Sequence, residues 1–152
     1  MNKWFKRDRM SDLSHYESRT GSLSCTSGEV FNFVTDIRNF EQFIPANTIN
    51  DWKSDKDACS FNVSMIGTVS LRITKSEPDK MVIFNGDALK KNDFSLILNI
   101  SNNLANKAEV KVLLDAELNP MLKMVANKPI IQFLETLIRE METFKGWKNI
   151  IK

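Results

Sequence analysis

Hydrophobic and polar residues alternate most regularly between Lys107 and Leu118. Val110, Val112, Leu114, Ala116 and Leu118 share one face, with Glu109, Lys111, Asp115 and Glu117 on the other. A period of two predicts a strand with one buried face. At Asn119-Pro120 the period changes. Leu122, Val125, Ala126, Ile130, Phe133, Leu134, Leu137, Ile138, Met141 and Phe144 follow at helical spacing, predicting one long helix from Pro120 to about Phe144. Proline suits the first helical position, where its missing N–H has no partner to lose. A lone long helix after a run of strands must lay its apolar stripe on the sheet.

Upstream, ordered sequence is expected from about Glu17, with a strand through Arg19, Gly21, Leu23 and Cys25. Thr26 with Glu29 three residues later is a capping box, opening a helix with Val30, Phe33, Val34, Ile37 and Phe40 on one face. Phe40, Phe43 and Ile44 add another turn before Pro45, giving two short helices with a bend near Asn39. Strands are expected at 48–54, at 59–66 (Phe61, Val63, Met65 inward) and after Gly67 (Val69, Leu71, Ile73 inward). A three-residue loop at 66–68 would pair Met65 with Val69, Val63 with Leu71 and Phe61 with Ile73. The turn 76–79 leads to a doubly apolar, enclosed strand at 80–87. Phe94, Leu96, Leu98 and Ile100 mark another, followed by the polar loop 101–106.

The predicted order is strand, two helices, six strands, long helix, which makes an antiparallel α+β fold and excludes a doubly wound parallel sheet. Positions 120 to 144 span roughly 37 Å as a helix. Seven strands about 4.8 Å apart are roughly 29 Å wide, so the helix can cross them all. Pro129 interrupts it, removing one hydrogen bond and favouring a kink that either shapes a cavity mouth or fits helix curvature to sheet curvature.

Composition narrows the function classes. The chain has 152 residues, one domain's worth, with 42% hydrophobic and 26% charged residues. Ten Phe and seven Met against one Tyr suit an irregular apolar interior. A net charge of +2 makes no case for nucleic acid. Cys25 and Cys59 lack metal-ligand spacing and read as free thiols in a reducing compartment. With no membrane-length apolar run and no apolar signal core, the expected location is the cytoplasm. Residues 1–16 have no periodicity. Met10 is a second candidate start, in which case residues 1–9 are not native to the protein.

The element order, with the motif Glu29-Val-Phe-Asn-Phe-Val-Thr-Asp-Ile-Arg-Asn-Phe-Glu-Gln-Phe-Ile-Pro45, resembles the START-like (Bet v 1-like, SRPBCC) superfamily, which includes polyketide cyclases and coenzyme Q-binding proteins. The resemblance covers residues 17–145, leaving an irregular segment at 1–16 and a tail at 146–152. It implies a helix-grip fold: a seven-stranded curved antiparallel sheet wrapped around the C-terminal helix, with a hydrophobic cavity between them. Lipid, sterol, quinone and polyketide binders, some enzymes and some protein-binding modules share this fold.

Catalysis in such a cavity would need a titratable or hydrogen-bonding group facing inward. The inward sets are wholly apolar. No catalytic motif, metal set or cofactor signature is present, and His15 has no cluster around it in the sequence. Asp51, Asn85 and Asp87 are the polar candidates for a cavity rim; ordinary surface or turn roles are the alternative. Candidate cavity walls are Phe33, Ile37, Phe40, Phe43, Trp52, Phe61, Met65, Leu96, Phe133, Leu137 and Met141. Such walls hold an apolar ligand by burying area, at about 25 cal/mol per Å². Each is equally at home in a packed core, because periodicity shows that residues face inward and not whether the space between them is empty. The expected partner is therefore a small hydrophobic molecule. A cyclase- or dehydratase-like enzyme and an interaction module are the alternatives. Membrane contact is a further one, through Lys3, Trp4, Phe5, Lys6 and Arg7 at one end and Lys145, Trp147, Lys148, Ile150, Ile151 and Lys152 at the other.

Overall fold

A computed structural model describes residues 13–44, 49–63, 67–88, 92–104 and 107–148. Its strands are β1 (Leu13–Glu17), β2 (Gly21–Ser22), β3 (Ile49–Ser54), β4 (Ala58–Val63), β5 (Gly67–Glu77), β6 (Met81–Ala88), β7 (Asn92–Leu104) and β8 (Lys107–Glu117). Helix α1 covers Ser27–Val34, a 3₁₀ helix covers Ile37–Phe43, and α2 covers Pro120–Thr143. The sheet is antiparallel in the order β1-β8-β7-β6-β5-β4-β3, with β2 also paired to β8. Among the described residues no helix is long and apolar enough to cross a membrane.

Eight strands stand where seven were expected because the first is split. It begins at Leu13, inside the segment read as irregular, and breaks at 18–20. Ser18 bridges the break. Its N–H donates to the Val112 carbonyl at 2.8 Å, and its hydroxyl accepts from Val112 N–H at 2.9 Å. The Thr26–Glu29 capping box is as the sequence predicted, and Asn119 caps α2 ahead of Pro120. Thr26 Oγ1 accepts from Glu29 N–H (3.1 Å) while Glu29 accepts from Thr26 N–H (3.0 Å), and Asn119 Oδ1 accepts from Leu122 N–H (2.8 Å). The break between the first two helices falls at 35–36 rather than Asn39. There Asp36 caps the 3₁₀ turn through Arg38 N–H, and buried Asn39 donates to the Phe33 carbonyl at 2.8 Å.

The β4–β5 hairpin corrects the expected register. Phe61 pairs with Val69 and Val63 with Gly67, so the connection is 64–66 rather than 66–68. Each expected partner on β5 is displaced by four residues, an even number that leaves every side chain on the same face, so alternation does not detect it. Gly67 marks the true turn: its φ of 95° lies where a side chain is disfavoured. At the next turn β5 extends to Glu77, and Asp79 takes the left-handed conformation (φ 63°). The polar loop after Ile100 is mostly strand, since β7 continues to Leu104.

Helix α2 lies closest to β1, β2, β8 and the 3₁₀ helix, while the side chains of its first half share a cavity with residues of β4 to β8. Its second half is tied down closely. A Cβ on Gly21 would meet Ile138 Cγ2 at 2.8 Å, so only glycine allows that approach. Arg19 forms a two-pronged ion pair with Glu142 (2.7 and 2.9 Å) and a longer one with Glu135 (3.3 Å). Beyond the helix, Trp147 turns back into the core at 2% exposure, so packing continues past the boundary expected at residue 145.

Candidate functional site

The inward faces of the strands are apolar. Phe61, Val69, Leu71, Leu96, Leu98, Ile100, Val110, Val112 and Leu114 are buried, with Val63, Ile73 and Phe94 packed against them. Beneath α2 this interior divides into two halves of different character.

One half is filled. Phe33 of α1, Phe43 of the 3₁₀ helix, Phe144 and Trp147 lie in mutual contact, with ring centroids 5.1 Å apart for Phe33–Phe144 and for Phe144–Trp147. Phe40 joins Phe43 edge-on at 6.0 Å and Phe84 at 5.0 Å. Each such pair adds about 0.5–1.5 kcal/mol beyond area burial. Ile37, Leu137, Ile138 and Met141 are buried at 1% exposure or less. Phe33, Ile37, Phe40, Phe43, Leu137 and Met141, expected as cavity walls, pack in this buried cluster and are not among the residues that line the cavity of the other half.

The other half holds a cavity of about 170 Å³. Strands β4 and β5 supply Phe61, Val63, Val69 and Leu71; β6 and β7 supply Ala88, Phe94 and Leu96; β8 and its exit supply Leu114, Ala116 and Leu118. The lid is the first half of α2: Leu122, Val125, Ala126, Pro129, Ile130 and Phe133. Of the expected walls, Phe61, Leu96 and Phe133 line it. Trp52 stands one layer back, stacked on Phe61 with centroids 5.6 Å apart. Met65 lies outside the described residues. Most of the remaining walls were read as inward positions, but Ala88 was not, and Pro129 was read only as a kink. Val125 lines the cavity and is also 47% exposed, so it stands where the cavity wall meets the surface. Pro129 sits in the lid, where a proline relaxes the helical hydrogen-bond ladder. Nearby, the Tyr16 hydroxyl donates to Asn127 Oδ1 at 2.9 Å and ties β1 to this half of α2.

The three polar candidates do not reach the cavity. Asn85 and Asp87 alternate with Phe84 and Gly86 and face outward, in a polar groove with Arg72, Thr74, Asp93 and Asp115. Asn85 donates to Ser95 Oγ at 2.9 Å. Asp51 is exposed, with φ 56°, in a β3–β4 irregularity, and accepts from Asn62 Nδ2 at 3.0 Å. Its positive φ coincides with the register shift between Asn50 and Lys53, next to Trp52.

His15 is less isolated than the sequence implied. On β1 it hydrogen-bonds Asp115 through Nδ1 and Glu17 through Nε2 (3.0 Å), and Lys111 contacts Glu17 at 2.6 Å. The hydrogen bond to Asp115, then that to Glu17, raises the imidazole pKa above its usual 6.5. This cluster is exposed and lies away from the cavity walls. Burial pushes both Cys25 and Cys59 thiols up to about 12. Among the described residues no group of three or more His, Cys, Asp or Glu side chains is placed to hold a metal ion.

A curved antiparallel sheet holding a long C-terminal helix is shared by many solved structures. Protein CV1439 from Chromobacterium violaceum superposes with a TM-score of 0.60, over 89% of this chain and 100% of that one, at 11% identity. XoxI from Bacillus cereus gives 0.66 over 85% and 93%, at 9% identity. The fold is the helix-grip fold. A norcoclaurine synthase point mutant from Thalictrum flavum, in complex with a transition-state analogue, shares it at a TM-score of 0.58 over 84% and 94%, with 5% identity. At such identities the likeness speaks for fold alone. No protein-family profile and no curated protein sequence matches the chain.

Proposed function

We propose that the protein is a START-like binder of a small hydrophobic molecule (a lipid, quinone or polyketide-like compound), held between the sheet and the first half of α2 without a reaction of its own. The observation that carries this reading is the cavity wall, to which every described contributor is apolar. A wall of that kind offers area burial and no hydrogen bond, so it selects apolar matter. Its volume, about 170 Å³, is close to the ~150 Å³ apolar cavities that stay dry and bind benzene. A single ring or a short alkyl segment fits directly. A longer molecule would reach the surface at Val125. A cyclase- or dehydratase-like reaction needs a proton donor or acceptor on that wall, and Asp51, Asn85 and Asp87 all lie elsewhere.

Native mass spectrometry before and after organic extraction tests the proposal. A co-purified or added apolar molecule, released by extraction and excluded by a bulkier residue at Ala126, is the expected result. Absence of any bound apolar compound at every concentration tested would overturn it.

A further inference from the structure

Where the cavity wall meets the surface, the first half of α2 is apolar on two faces. Leu122, Ala126, Pro129, Ile130 and Phe133 face the cavity. Away from the cavity, Met121 (79% exposed), Met124 (84%) and Ile131 (52%) recur at i, i+3 and i+10 with Lys128 at i+7, and Val125 (47%) at i+4 stands at the boundary between this stripe and the cavity face. A helix segment hydrophobic all round is normally enclosed by something. Two methionines more than three-quarters exposed on adjacent turns leave that requirement unmet within the fold. From Pro120 to Leu134 the helix carries Lys123 and Lys128 and no acidic residue, so its exposed side is cationic as well as apolar. Apolar side chains flanked by lysines on a helix lying flat are the chemistry that partitions into the interface of an anionic bilayer.

The geometry points to the exposed stripe Met121–Met124–Val125–Ile131 as a docking surface for an anionic phospholipid membrane. Val125 belongs both to this stripe and to the cavity wall, so docking would place this edge of the cavity against the lipid phase. The surface differs from the terminal clusters that the sequence suggested. Trp147 of the C-terminal cluster is buried, and residues 3–7 and 150–152 lie outside the described residues. Docking is read separately from ligand binding, because vesicle partitioning depends on the outer stripe whether or not the cavity takes a ligand.

The test is co-sedimentation of the full chain with phosphatidylcholine vesicles, with and without phosphatidylglycerol. Wild type is expected to prefer the anionic vesicles and to release them at high salt. The double variant M121S/M124S, altered only at exposed positions, should keep its melting temperature yet partition roughly tenfold more weakly or worse. Lys128→Glu should remove the preference for phosphatidylglycerol. Failure of wild type to bind either vesicle would overturn the proposal, as would undiminished binding by M121S/M124S. A self-association of wild type that M121S/M124S abolishes would assign the stripe to a second copy of the chain and also overturn it.

Discussion

Replacing Ala126 by leucine adds three carbons to the underside of the lid, at a residue 5% exposed whose side chain borders the cavity. The sign of the stability change reports directly on the space beneath. If the cavity is empty, the added carbons are buried without displacing anything. At about 0.8 kcal/mol per buried CH₂ the ceiling is about 2.4 kcal/mol. The cavity wall meets the surface at Val125, so part of the new surface stays wet, and a gain of about 1–2 kcal/mol is expected. Leucine is nearly as good a helix former as alanine, so propensity offsets only a few tenths. For a chain of this length the gain corresponds to a rise of about 3–6 °C in melting temperature. A filled interior would instead be overpacked, at a cost of about 1–3 kcal/mol. Urea denaturation and thermal melting of Ala126→Leu beside wild type decide between the two. Destabilisation, or stabilisation that leaves ligand affinity unchanged, would refute the cavity as the binding site.

Further expectations separate the two halves of the interior and the outer face. Phe33→Ala, in the aromatic cluster, should cost about 3–5 kcal/mol in urea denaturation, whereas Phe133→Ala, half-buried against the void, should cost less and mainly weaken ligand binding. His15 has a raised folded pKa, so its contribution to stability is fully present below the usual 6.5 and is lost as pH rises through the folded value. Glu17, lowered first by Lys111 and then by His15, acts in the opposite sense, contributing above its usual 4.5 and losing that contribution as pH falls through the folded value. Wild type should therefore melt above His15→Asn between those two pH values, and the gap should close at alkaline pH. Cys25 and Cys59 should resist a thiol reagent at pH 8 (set by the assay, about four units below their pKa of about 12) until urea unfolds the chain.

Local chemistry was legible in the sequence wherever one residue answers one backbone requirement. Thr26 with Glu29, Asn119 with Pro120, and Gly67 each fix an element end within a few residues. Alternation gave the inward faces of β4, β5, β7 and β8 among the described residues, because burial of one face acts at every second residue. What it missed follows from the same periodicity. The β4–β5 register differs from the expected one by four residues, because an even shift changes no face. The split of the first strand depends on Ser18 reaching Val112, a partner far away in sequence. The division between buried cluster and cavity was out of reach for a similar reason. Phe33, Phe43 and Phe133 all read simply as inward, and only the return of Phe144 and Trp147 onto α1 fills one half and leaves the other open. Asn85 and Asp87 share the parity of Ile83 on β6, opposite to buried Val82 and Phe84, and this sends them outward.

The central claim is that an apolar molecule enters one half of the interior and not the other. Methyl NMR of Ile, Leu and Val side chains during titration with a small alkylbenzene tests it directly. Saturable shifts should appear together at Val63, Val69, Leu71, Leu96, Leu114, Leu122, Val125 and Ile130, which line the cavity. Val30, Val34, Ile37, Leu137 and Ile138, packed in the filled half, should stay in place. An unchanged spectrum at ligand saturation of the solution, or shifts concentrated in the filled half, would contradict it.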